Sequence, residues 1–204
     1  MNYRIDRNNL DHLFPTQKHP KEFWEALGRV IATFGFLEET LLKAIFIFIG
    51  NKLSSEELIE KEKEKLLKQL LQASSDPMHG LINKYNEVFN NHPENSKFSN
   101  FKELINLLNE AKKIRNVLCH GSWRAPNENG ASRVFFINRQ LYVFDTPIDL
   151  AFLTQTRQHV SELICEVKNS VTIMGWQFPG SNSHGKTLNE IFGLQHFHEE
   201  GLDK

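Results

Sequence analysis

A chain of 204 residues, 40% hydrophobic and 24% charged, is long enough to bury one sizeable core and too apolar to stay disordered. Its formal net charge of −1 excludes a globally basic nucleic-acid binder, so any polyanion site must be a local patch. The 16 phenylalanines against 3 tyrosines favour core and interface over polar surface recognition.

The start, Met1-Asn-Tyr-Arg-Ile-Asp-Arg7, is polar and lacks the apolar run of a signal peptide. Residues 1–19 read as a leading arm, punctuated by Pro15 and Pro20. Pro20 then suits the first turn of a long helix. Apolar residues recur at Phe23/Trp24, Leu27, Val30/Ile31, Phe34, Leu37, Leu41/Leu42, Ile45 and Phe48/Ile49, a period of 3.6 that Gly50 closes. The last two turns are apolar nearly all round and must be covered on more than one side. The most apolar stretch, Leu41 to Ile49, contains Lys43 and falls far short of the ~20 residues that cross a bilayer. By elimination the expectation is a cytoplasmic protein without membrane contact.

Ser54-Ser-Glu-Glu57 is a capping-box signature and opens a Glu/Lys-rich helix to about Gln72. A shorter helix over 78–90 stops at Asn90-Asn-His-Pro93. Another starts at Ser99 or Asn100, carries the stripe Phe101, Leu104, Ile105, Leu108, Ala111, Ile114 and Leu118, and stops at Gly121. The period then changes. Residues 133–137 and 140–144 are rich in strand formers and flank Asn138-Arg139, a hairpin pattern. Thr146-Pro147 opens a final long helix that ends at Gly175, and Thr187-Leu-Asn-Glu190 caps one short helix in the tail. The expected fold is an all-α helical bundle with a β-hairpin inserted before the last long helix. Its expected divisions are an arm at 1–19, a helical domain at 20–176 and a tail at 177–204.

The chemistry concentrates at one helix end. Between Glu110 and Glu128 there is no acid, while Lys112, Lys113, Arg115 and Arg124 are basic, a local phosphate patch. Asn116 and His120 lie four apart and share a helix face, with Arg115 on its flank. His120 sits in the last turn, where the carbonyl end of a helix attracts a cation. Arginine grips phosphate with a fork, histidine moves protons near neutral pH, and an asparagine amide orients either. No metal is needed if the 2′-hydroxyl of RNA is the nucleophile. Arg115 and His120 equally suit plain capping of the helix end, at about 0.3–1 kcal/mol each, with Asn116 closing a buried hydrogen bond.

This segment, Arg115-Asn116-Val-Leu-Cys-His120, resembles the HEPN superfamily, whose ribonuclease members carry Arg, four to six residues, then His. The resemblance implies a HEPN-like helical bundle, a symmetric homodimer that joins two motifs, and metal-independent RNA cleavage without a cofactor. It also implies a setting in toxin or antiviral systems, where an inhibitory or regulatory protein partner is expected. The hairpin departs from the minimal bundle. Arg7-Asn-Asn-Leu-Asp-His12 repeats the spacing but has no apolar stripe before it and runs into Pro15.

In the expected site Arg115, Asn116 and His120 are catalytic, and Lys112, Lys113, Arg124 and Trp123 bind substrate. Trp123 has two readings, stacking on a base or plugging the core. Glu38, close to the stripe of the first helix, supports the site if it turns inward to Arg115; otherwise Leu37 faces in and Glu38 sits at the margin. Cys119 reads as a buried helix-end thiol, and two cysteines in helical patterns suggest no disulfide framework. His184, His196 and His198 lack metal-site spacing, so no metal is expected. The competing functions are a non-catalytic interaction module docking through the apolar end of the first helix, and a nucleotide-binding sensor.

Overall fold

The computed structural model describes residues 5–50, 78–137 and 143–181. Among these, four α-helices carry the chain: α1 (Lys21–Gly50), α2 (Met78–Asn90), α3 (Phe101–His120) and α4 (Leu150–Thr172). Two short strands, β1 (Ser122–Trp123) and β2 (Val134–Phe135), pair antiparallel between α3 and α4. The expected helix at 54–72, the hairpin turn at Asn138-Arg139 and the tail helix at Thr187–Glu190 lie outside the described residues. No described helix is long and apolar enough to cross a membrane.

Contacts group the chain into two units, Met1–Thr33 with Ile114–His159, and Phe34–Lys113 with Val160–Lys204.

In the first unit the N-terminal segment is tied down locally. The Asp6 carboxylate accepts from the backbone N–H of Asn8 at 3.1 Å and from the Asn9 amide at 2.7 Å, capping a single turn at Arg7–Asn9. Trp24 Nε1 donates to the carbonyl of Thr16 at 3.0 Å, which fastens the segment before α1 to the first turns of that helix. Phe23, Leu27 and Val30 form the buried stripe of α1 here. Where α3 ends, Gly121 N–H bonds the carbonyl of Val117 at 2.9 Å, and the chain turns into β1.

The hairpin differs from the expected one in its partner. β2 pairs with β1, so Ser122 stands opposite Phe135 and Trp123 opposite Val134. Two residues directly after a helix stop are too short to show a period-2 pattern, which hides β1 in the sequence. The expected pairing is present as well: Ile137 bridges Val143, and Phe144 N–H donates to the carbonyl of Phe136 at 3.2 Å. The final helix opens later than Thr146-Pro147. Ser132 and Ile148 exchange two backbone hydrogen bonds of 2.8 Å, which holds the chain extended to Ile148. Asp149 then caps α4, accepting from Phe152 N–H at 2.7 Å.

In the second unit the excess of phenylalanine becomes a core. Phe48, Tyr85, Phe89, Phe98 and Phe101 are all buried, Phe89 is stacked on Phe101, and Phe48 meets Phe89 edge-on at 5.7 Å. Ala44, Ile45, Ile47 and Phe48 expose 1% or less of their surface. Most of the apolar end of α1 is therefore covered within the chain, while Leu42, Phe46 and Ile49 stay half-buried. The Tyr85 hydroxyl is fully buried and lies 2.6 Å from Ser170 Oγ, which also donates to the carbonyl of Val167 at 2.7 Å. Burial pushes the Tyr85 hydroxyl well above the usual phenol range. Past α4, Gly175 takes a positive φ of 86°, and Trp176 and Phe178 fold back into buried positions.

Candidate functional site

The last two turns of α3 carry the motif. Val117 and Leu118 are buried and fix the helix. With those two facing in, the 100° step per residue leaves Arg115 and Asn116 half-buried and turns Cys119 and His120 to solvent. Arg115 Nη1 lies 3.5 Å from Asn116 Oδ1, a long hydrogen bond in which the amide oxygen accepts from the guanidinium. His120, the final residue of α3, is exposed one turn after Asn116. Cys119 is exposed too, contrary to the expectation of a buried thiol; both it and Cys165 are free thiols.

The helix end is held by a close approach. A Cβ on Gly121 would fall 2.0 Å from Val134 Cγ1 and 2.5 Å from the carbonyl oxygen of Val117. Glycine is therefore required here by contact with β2, in addition to its usefulness as a helix stop. The contact sets where His120 sits relative to the hairpin.

Beneath the hairpin lies a cluster that the sequence did not announce. His19 is buried, and its Nε2 hydrogen-bonds the fully buried hydroxyl of Ser132. The imidazole stacks on Phe23 at 4.6 Å and meets Trp24 edge-on at 5.1 Å. Burial holds its pKa below the ordinary value of 6.5. Trp123 closes the cluster, half-buried, with its ring edge-on to Phe23 at 5.2 Å and to Trp24 at 6.1 Å. Nothing in the sequence pairs His19 with Ser132, which is 113 residues away.

Arg124 is exposed, and its guanidinium carbon lies 5.4 Å over the ring of Phe135. The second copy of the spacing has no comparable geometry. Arg7 belongs to a single 3-10 turn, and His12 follows in a turn beside Asp11, 3.5 Å from its carboxylate; both are exposed.

The other expected residues fall in the second unit. Lys113 is exposed and paired with Glu110 at 2.7 Å, so the acid that borders the basic run neutralises one of its members. Lys112 is half-buried, with Nζ 3.2 Å from His79 Nδ1 and 3.0 Å from Asn109 Oδ1. Burial, and then the neighbouring Lys113, lower its pKa. Leu37 is fully buried, and Glu38 is half-buried with its Oε1 enclosed.

The first unit also contains a cleft of about 390 Å³ bordered by Glu22, Glu25, Arg29 and Arg157, which includes none of the motif residues. There the Arg29 guanidinium bonds Glu25 at 2.8 Å and holds its carboxyl below the usual range. Among the described residues no group of three His, Cys, Asp or Glu side chains is arranged to hold a metal ion.

Compared with protein-family models, with curated proteins and with solved structures, the chain matches none of them. The functional reading therefore rests on the geometry of the site and on the resemblance of its motif.

Proposed function

We propose that the protein is a metal-independent endoribonuclease of the HEPN type, acting as a homodimer whose site is completed by the motif of a second copy. The observation that carries this reading is the arrangement at the end of α3. A half-buried Arg115 touches the Asn116 amide, and His120 stands exposed at the last residue of the same helix.

The chemistry is transesterification within the RNA strand. The 2′-hydroxyl oxygen attacks the adjacent phosphorus and its proton passes to a neutral imidazole. The P–O5′ bond breaks, and an imidazolium gives a proton to the departing 5′-oxygen. The products are a 2′,3′-cyclic phosphate and a 5′-hydroxyl end. Arg115 faces the phosphate oxygens, where charge accumulates in the transition state, and its planar fork suits two of them at once. Asn116 limits where that guanidinium can swing.

One chain offers one His120, whereas the reaction uses a base and an acid. A twofold axis beside the motif supplies the second imidazole. The direct test is cleavage of RNA in EDTA by the wild type, beside Arg115→Ala and His120→Ala. Cleavage by the wild type alone, leaving cyclic-phosphate ends, supports the reading; cleavage that appears only with added Mg²⁺ or Mn²⁺ contradicts it.

A further inference from the structure

The outer face of the hairpin carries a second feature that the motif does not use. β1 and β2 pair at Ser122–Phe135 and Trp123–Val134, and one rung further the Arg124 N–H donates to the carbonyl of Arg133 at 3.1 Å. Side chains alternate across a strand. Trp123 and Val134 turn inward, which leaves Arg124, Arg133 and Phe135 exposed on the outer face. Phe135 keeps 53% of its surface open, with Arg124 poised above its ring.

Two like charges on directly opposed strand positions repel each other. Among the described residues neither guanidinium is joined to a carboxylate in an ion pair. A pair of cations left facing each other beside an open aromatic ring is the chemistry of a phosphate next to an unpaired base. The bridges Ser132–Ile148 and Ile137–Val143 share one register, which sets Asp145 opposite Phe135, on the same face but across the edge away from β1.

We infer that this face, Arg124, Arg133 and Phe135, binds single-stranded RNA, with a base stacked on Phe135 and its phosphate between the two arginines. The choice of RNA over other polyanions rests on the nuclease reading above. The choice of a single strand rests on the ring, because only a base freed from its duplex offers a face to stack on.

The test is fluorescence anisotropy on the full chain. The probe is a short fluorescein-labelled oligouridylate with 2′-O-methyl groups, which lack the attacking hydroxyl, used alone and annealed to its complement. The single strand binds more tightly than the duplex. Phe135→Ala weakens it by about five- to a hundredfold, and Phe135→Tyr restores it. The double variant Arg124→Gln/Arg133→Gln flattens the dependence of log affinity on log salt by about 0.7, one phosphate contact on a single strand. Asp145→Asn tightens binding. Thermal melting checks that each variant is folded, as expected for exposed positions.

Unchanged affinity and salt slope in Phe135→Ala and in the double variant overturn the inference, as does equal affinity for the duplex. If Phe135→Ala instead turns a dimer into a monomer without changing RNA affinity, the face is a contact between copies and the inference fails. Cleavage of unmodified RNA by wild type and His120→Ala is scored separately. Hairpin-dependent binding by a chain that does not cut leaves this surface standing without the nuclease. Cutting that needs His120 but ignores the hairpin leaves the nuclease without this surface.

Discussion

A Cβ placed on Gly121 would stand 2.0 Å from Val134 Cγ1, so the end of α3 and the second strand of the hairpin touch where only glycine fits. Because His120 immediately precedes this contact, its position depends on the packing of the hairpin. Gly121→Ala should force β2 and the helix end apart at about 1–3 kcal/mol, the usual cost of overpacking. It should also reduce RNA cleavage. Shortening Val134 to Ala should recover part of that loss, and urea denaturation of the two single variants and the double would measure the coupling. Additive effects would show that the contact does not matter.

The buried pair of His19 and Ser132 predicts a pH dependence of stability. Burial lowers the folded-state pKa of His19 below the value of 6.5 that it keeps when unfolded. Protons then bind the unfolded chain first, so this contribution is complete above pH 6.5 and is lost as pH falls from there toward the folded pKa. The melting temperature of the wild type should therefore drop across this window more steeply than that of His19→Asn. Parallel curves for the two proteins would rule out His19 as the source.

Tyr85 and Ser170 predict an asymmetry. Tyr85→Phe leaves the Ser170 hydroxyl its bond to the carbonyl of Val167, so the loss should be about 0.5–1.5 kcal/mol. Ser170→Ala strands the buried Tyr85 hydroxyl without that partner and should cost more, about 1–3 kcal/mol. Guanidinium unfolding of both variants gives the order; the reverse order would contradict the account of this core.

Much of the helical fold was legible because a helix repeats its signal. Phe23, Leu27, Val30, Phe34, Leu37, Leu41, Ile45 and Phe48 all fall on the buried side of α1, as their period requires. The end of α3 was legible for the same reason. What escaped were features set by a single distant contact. β1 is two residues long, and only its pairing with Val134 and Phe135 defines it. His19 finds Ser132 across 113 residues of sequence, and Arg133 and Phe135 read as plain strand formers until the register sets them beside Arg124. Cys119 is exposed, against its apolar neighbourhood in the sequence, because Val117 and Leu118 already fill the inner side of that turn. At the site, the adjacent Arg115 and Asn116 could be read from the motif, whereas the pairing of Lys113 with Glu110 needed geometry.

Composite sites predict an unusual result in mixed dimers. If each site draws one imidazole from each copy, a purified pairing of wild type with His120→Ala should lose activity at both sites. Differently tagged, co-expressed chains make this measurable. Half of the wild-type rate would mean that each site belongs to one chain, and a fully active monomer would exclude the dimeric mechanism.

The central claim meets its most direct test in one gel. Wild type, Arg115→Ala and His120→Ala are incubated with RNA in excess EDTA, after circular dichroism has shown all three to melt cooperatively. The account predicts fragments ending in 2′,3′-cyclic phosphate with the wild type and none with either variant. Equal cleavage by His120→Ala, or no cleavage by a folded wild type until Mg²⁺ or Mn²⁺ is added, would contradict it.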